Sequence, residues 1–338
     1  MTTPVADTPY ESFLEPDTPD RDGIGEFVQQ IKEVADKLTK DGASRGDAKL
    51  LASALKELRH CFRVFAAHRG IRKATVFGSA RTPVDHPAYQ AAVDFSKKMA
   101  ENGWMVITGA ASGIMEAGHV GAGRDMSFGL NILLPFEQGA NTVIAGDPKL
   151  MNMRYFFTRK LAFIKESDAV VLFPGGFGTH DELFETLTLI QTGKTHVFPI
   201  VLVDEPGGTY WTRWQDFVKE DLLARGYISP GDLHLYTITD SVEAAVDECR
   251  NFYKVYHSMR YVKGELVLRL QAMPPADLVE AINKEFADIC VGGRFEVCGA
   301  LPAEANEPAL ADLPRLKFRF NKHAHGRLRQ LINRVNAG

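Results

Sequence analysis

Residues 174–185 read PGGFGTHDELFE and follow directly on the apolar run 169–173. Glycine backbone lets a ligand approach without an intervening Cβ. A helix starting immediately afterwards offers unpaired N–H groups and the positive end of its dipole, a combination suited to a phosphate. Thr179 and Glu182 also fit a capping box, Thr179 as N-cap and Glu182 reaching back from the third helical position, with Asp181 favouring the positive helix end. Capping accounts for the threonine and the acids but not for Gly175, Gly176 and Gly178 in front of them. A second segment, Arg154–Lys160 (RYFFTRK), opens a helix with basic residues, where the dipole disfavours them. Interface packing of its aromatics is one reading; a negatively charged ligand would explain both segments together.

The elements that must position these loops are legible as short apolar strands alternating with helices. The pattern predicts strands at 74–78, 104–108, 128–134, 169–173, 197–203 and 233–238. Helices are expected at 87–101, 112–122, 157–166, 179–192, 210–223 and 242–256. Six such units imply a parallel sheet covered on both faces: an α/β, doubly wound (Rossmann-like) fold. With strand order 3-2-1-4-5-6, ligands bind beyond the carboxyl ends of the first and fourth strands. The loops converging there are Phe77–Arg81 (FGSAR, with Gly78 and Ser79), Thr108–Glu116 (TGAASGIME, with Gly109 and Gly113) and the 173–179 turn. The GxxxxGK(S/T) of an ATP-binding loop is absent. So is GxGxxG with a ribose-binding acid, which weakens a dinucleotide-dependent oxidoreductase reading.

Around this 71–257 nucleotide-binding domain, residues 1–22 read as a disordered or loosely docked polar tail. Residues 23–70 read as two amphipathic helices that pack on the main body or on a partner subunit. Residues 258–338 read as a small C-terminal α+β appendage, with strands at 265–270, 294–297 and 315–320 and helices at 276–287 and 327–335. The strand at 315–320 puts Arg315, Lys317 and Arg319 on one face: a solvated basic face, or more sharply an anion effector site.

Bulk composition narrows the class. The 338 residues carry 39 basic and 43 acidic side chains, a net charge of −4, against a general nucleic-acid binder. Cys61, Cys249, Cys290 and Cys298 form no CxxC pair, so neither zinc nor a disulfide framework is indicated. The N-terminus lacks the pattern of a signal peptide and no apolar run approaches ~20 residues, so no membrane partner and a cytoplasmic location are expected.

FGSAR, TGAASGIMEAGHVGAG, NILLPFEQ, YFFTRK and PGGFGTHDELFETLTLIQTGK, in this order and spacing, resemble the Lonely Guy (LOG) family, whose members were often labelled "lysine decarboxylase-like". The resemblance covers roughly residues 72–256. It implies a phosphoribohydrolase that cleaves the N-glycosidic bond of a nucleoside 5′-monophosphate, AMP or a cytokinin precursor, to free base and ribose 5-phosphate, without metal or cofactor. The resemblance makes Arg159 and Glu182 the catalytic pair. It places Lys160, Gly175, Gly176, Gly178 and Thr179 in the phosphate and ribose site, Asp181 beside them, and Glu137 and Thr188 among further ligand contacts. His180 is expected at the surface. The family's second loop usually carries a glycine triplet where this chain reads Gly109-Ala110-Ala111-Ser112-Gly113, whose methyl groups crowd a ligand or restrict φ. The alternative on the same fold is a non-catalytic nucleotide- or molybdenum-cofactor-binding protein. Apolar residues along 157–166 and 179–192 point to a homodimer or higher homo-oligomer.

Overall fold

The computed structural model describes residues 23–134 and 139–338; the predicted tail at 1–22 and Glu137 lie outside the described residues. Two helices lead: α1 (Ile24–Lys40) and α2 (Arg45–Ala66). Ser44 starts α2 with a capping box, its Oγ accepting from Asp47 N at 3.1 Å while Asp47 Oδ2 accepts from Ser44 N at 2.9 Å. α1 buries none of its residues, whereas α2 buries Cys61 and Phe65, the latter stacked on Phe128 at 4.4 Å.

The chain then alternates: β1 (Lys73–Phe77), α3 (Pro87–Glu101), β2 (Met105–Thr108), α4 (Ile114–Ala122), β3 (Ser127–Ile132), β4 (Leu150–Met153), α5 (Phe156–Glu166), β5 (Ala169–Leu172), α6 (Phe177–Gln191), β6 (Ile200–Val203), α7 (Tyr210–Phe217), β7 (Thr237–Thr239) and α8 (Val242–Asn251). All seven strands pair in parallel, in the order β4-β3-β2-β1-β5-β6-β7. This is the expected 3-2-1-4-5-6 order with one added edge strand, β4. Its four residues, LMNM, include Asn152 and two flexible methionines and no β-branched side chain, so they give little strand signal. Strands β1, β2, β3 and β5 are buried at every residue, as the near-continuous apolar runs of a doubly covered sheet require. Order reverses between β1 and β5.

β8 (Tyr256–Val262), β9 (Glu265–Leu270), α9 (Ala276–Glu285), β10 (Glu296–Cys298), β11 (Arg315–Phe318) and α10 (His325–Ala337) complete the chain. Their antiparallel sheet runs β10-β11-β9-β8. α8 ends at Asn251, earlier than its periodicity predicts, and Tyr256 already belongs to β8. One apolar cluster runs from Ile107, Phe128 and Leu172 of the first sheet through Tyr256 to Leu268, Leu316 and Leu331. Asn336 of α10 ties the junction, its Oδ1 accepting from Val255 N and Tyr256 N at 2.8 and 2.9 Å.

The basic strand is solvated only at Arg319, which is exposed; its other two cations are covered by carboxylates. Arg315 is fully buried and pairs with Glu304 at 3.1 Å. Lys317 pairs with Glu296 at 3.0 Å and Glu265 at 3.4 Å. Alternation placed these side chains on one face but could not show that Glu304, eleven residues upstream, covers it.

Candidate active site

Three loops beyond the carboxyl ends of β1, β2 and β5 are fastened to one another. Ser79 N donates to Pro174 O at 3.1 Å, Ile114 N to Ser79 O at 3.0 Å, and Ser112 Oγ to Ala80 O at 2.9 Å. Glycine serves this fastening. A Cβ on Gly113, whose φ is +65°, would lie 2.3 Å from Ser79 O. One on Gly175 would lie 2.1 Å from Thr179 Oγ1, and one on Gly78 would lie 2.7 Å from Ile114 side-chain atoms. These three glycines therefore permit loop-on-loop packing rather than the approach of a ligand. At Gly176 and Gly178, by contrast, a Cβ would meet nothing within 4 Å, and their open side belongs to the cleft.

The cleft has a volume of about 850 Å³. Gly78, Ser79, Gly109, Gly175, Gly176, Gly178 and Thr179 line it together with Arg159 and Glu182. Gly113 supports the wall from behind. α6 begins at Phe177 with Gly176 as N-cap, two residues before Thr179, so the Thr179–Glu182 capping box does not form. Helical N–H groups of Phe177 and Gly178 consequently have no intrahelical acceptor, and both residues line the cleft. Thr179 is buried inside the first turn, its N–H donating to Gly176 O at 3.1 Å.

Released from capping, Glu182 is 5% exposed, and its Oε2 has no hydrogen-bond partner among the described residues. Burial pushes its carboxyl up to about 7, against the opposing pull of Lys160 and Arg159. Arg159 enters from the first turn of α5, with its guanidinium between the rings of Phe156 and Phe163 at 5.1 and 5.7 Å. α2 fixes that turn: Glu57 accepts from Arg154 N at 3.0 Å and from Thr158 Oγ1 at 2.7 Å. A carboxyl poised near neutrality beside a guanidinium, in the second turn of α6, is able to exchange a proton and to stabilise developing positive charge.

Three expected contacts lie elsewhere. Lys160 does not line the cleft; it holds Asp181 at 2.9 Å and Glu185 on the outer side of α6. Asp181 is 61% exposed in its side chain, and Thr188 is exposed further along the same helix. Helical geometry separates neighbours in sequence: Glu182 faces inward, while Asp181 and Glu185 meet Lys160.

Sequence reasoning missed several supports. His180, expected at the surface, lines the cleft, and its Nε2 lies 2.7 Å from Tyr210 Oη, which donates to Gly175 O at 2.5 Å. With the Tyr210 proton so used, His180 Nε2 carries the hydrogen of their shared bond; burial lowers its pKa, keeping the ring neutral. His119, fully buried, sits 3.0 Å from Thr108 Oγ1, and Asn141 Nδ2 donates to Ala110 O and Ala111 O at 3.0 and 3.1 Å. Neither His119, buried within IMEAGHVGA, nor Tyr210 was singled out from the sequence. Ala110 takes φ +62°, a conformation that favours glycine, but its methyl packs near Gly129, away from the cleft; Ala111 does line it. The departure from a glycine triplet thus strains the backbone at Ala110 and narrows the cleft only at Ala111.

Residues 107–249 match the family described as "Possible lysine decarboxylase". A probable cytokinin riboside 5′-monophosphate phosphoribohydrolase of Oryza sativa subsp. japonica is 30% identical over 165 residues, 47% of this chain and 63% of that protein. The cytokinin riboside 5′-monophosphate phosphoribohydrolase of Mycobacterium tuberculosis is 39% identical over 92 residues, 27% of this chain and 46% of that protein. The chain thus spans about half to two thirds of the length of these relatives. Among solved structures, the molybdenum cofactor binding protein of Rippkaea orientalis aligns at TM-score 0.39 and 16% identity, covering 53% of this chain and 95% of that one. The molybdenum cofactor carrier protein of Chlamydomonas reinhardtii aligns at TM-score 0.37 and 19% identity, covering 52% and 94%. Over residues 107–249, which carry two of the three cleft loops, the chain is similar to proteins of the LOG family.

Proposed function

We propose that the cleft hydrolyses the N-glycosidic bond of a nucleoside 5′-monophosphate, AMP or a cytokinin riboside 5′-monophosphate, to free base and ribose 5-phosphate. The observation that carries this reading is Glu182: a buried carboxyl, raised to about 7, with one oxygen unengaged, beside Arg159 and lining the cleft from the second turn of α6. A protein that only carries a ligand has no use for a carboxyl held near neutrality, whereas glycoside cleavage does.

The 5′-phosphate sits against the Phe177 and Gly178 N–H groups, where the helix dipole favours an anion. Ionised Glu182 faces C1′ and stabilises the oxocarbenium character that grows as the C1′–N bond lengthens. Water attacks C1′, passing a proton to the Glu182 carboxylate; the bonding pair leaves with the base, which takes a proton from solvent. Arg159 offsets the repulsion between Glu182 and the phosphate. Relatives named for cytokinin riboside 5′-monophosphates support the substrate class. Exposed apolar side chains on the α5 and α6 flanks of the cleft, Phe156, Phe157, Leu161 and Phe177, support a homodimer formed across this face.

Incubation of the purified protein with AMP and isopentenyl-AMP is expected to release free base. Glu182→Gln is expected to lower turnover by about a hundredfold or more with the fold intact, as loss of a general acid or base does. Absence of base release from any nucleoside monophosphate, with tight binding instead, would overturn the hydrolase in favour of a carrier.

A further inference from the structure

A second cavity, of about 350 Å³, opens at the amino ends of β1 and β5, on the side of the sheet's edge opposite the cleft. Arg69, Arg72, Lys73 and Lys165 line it, with His196 and His257. Among the described residues of its lining, two carboxylates face these four cations, and both are engaged by them: Asp168 accepts from Arg72 Nη1 and Lys73 N at 2.9 Å, and Glu166 pairs with Lys165 at 3.0 Å. β8 closes the cavity from the second sheet through Tyr256, His257, Ser258 and Met259.

The wall behind β8 is itself cationic. Arg260, Arg269 and Arg315 share Glu304 and Glu307, so this cluster of ion pairs carries one surplus positive charge. Arg269 is fully buried, and its Nη1 has no hydrogen-bond partner among the described residues. The field reaches the cavity: burial, then Arg72, Arg269 and Arg315, lower His257 to about 4, which leaves its ring neutral near pH 7. A buried positive charge without full compensation is costly, and an anion in the adjoining cavity reduces that cost.

From the cavity, its excess of cations and the surplus charge behind it, we infer a second ligand site that takes a small phosphorylated anion. Its size suits one phosphate group and a sugar-sized body, at the lower end of small-molecule sites. Tyr253 and Tyr256 supply an aromatic wall, with Arg72 already stacked on Tyr253 at 3.5 Å. Ser258 and the backbone around Gly70 add polar lining. The site is independent of the hydrolase reading, since none of its residues lines the cleft.

Isothermal titration with inorganic pyrophosphate at fixed ionic strength tests it, using the full chain carrying Arg159→Ala so that anion binding in the cleft is weakened. Binding is expected to persist in that protein and to weaken by about tenfold or more when Arg69→Glu and Lys165→Glu are added, as reversal of charges facing an anion does. Arg69 is exposed, so Arg69→Glu alone serves if the double variant fails to fold; it is expected to weaken binding in the same direction. Crystals soaked in tungstate give an independent readout, with the heavy anion expected beside Arg72 and His257. Binding unchanged by the charge reversals, no heat up to millimolar pyrophosphate, or tungstate found in the cleft alone would each overturn the site.

Discussion

At the scale of single residues, Glu182 governs behaviour with pH. Its carboxyl titrates near 7 in the folded chain and near 4.5 once the chain unfolds. The fold therefore prefers the protonated form: stability is fully present below 4.5 and falls as pH rises through about 7. Glu182→Gln cannot ionise, so it should gain on the natural protein as pH rises, by an amount on the order of 3 kcal/mol at the alkaline side. Urea unfolding of both proteins at about pH 5 and about pH 8 measures this; a difference independent of pH would mean that Glu182 titrates normally. Catalysis runs the other way, because ionised Glu182 is the working form, and kcat/KM should fall as pH drops below about 7. Its unusual titration was not legible in THDE. A capping carboxylate and a desolvated one share a sequence, and the difference lies in where α6 begins.

At the scale of elements, the strand order and most helices were legible because apolar runs and helical periodicity report burial directly. Helix α3 shows this best, its observed bounds Pro87–Glu101 being those expected from its periodicity. β4 and β8 were missed, since one is short and the other begins where a helical pattern fades. In the site, the loops were legible but the duties of their glycines were not, because backbone-to-backbone approach between loops far apart in sequence leaves no local trace. The distinction is measurable. Gly113→Ala places a Cβ 2.3 Å from Ser79 O at a φ of +65°. It should cost roughly 2–5 kcal/mol of stability, combining strained φ with overpacking. Gly178→Ala meets nothing within 4 Å and sits in the first turn of α6, so thermal unfolding should change little while ligand affinity falls. Equal destabilisation by the two substitutions would contradict this division.

At the scale of the whole molecule, apolar side chains remain at the surface in a pattern. Phe157 is 51% exposed and Leu161 is 42% exposed, one turn apart on α5 beside the cleft. If this face joins two copies, light scattering should give twice the mass of one chain, and Phe157→Asp with Leu161→Asp should return it to a monomer. A monomeric natural protein would remove the interface. Among the described residues, no helix is long and apolar enough to cross a membrane, which agrees with the absence of such a run in the sequence. Strands β9, β10 and β11 were legible from alternation, but not their shared core with the first sheet, since which face a strand buries against depends on residues distant in sequence. The hydrogen bonds that lash the Ser79, Ser112 and Pro174 loops together have one more consequence. Ordering a loop residue costs about 1–2 kcal/mol of conformational entropy, and here that loss is incurred during folding rather than at encounter. A ligand entering between these loops meets a preorganised rim, so little of its binding free energy is consumed in arranging them.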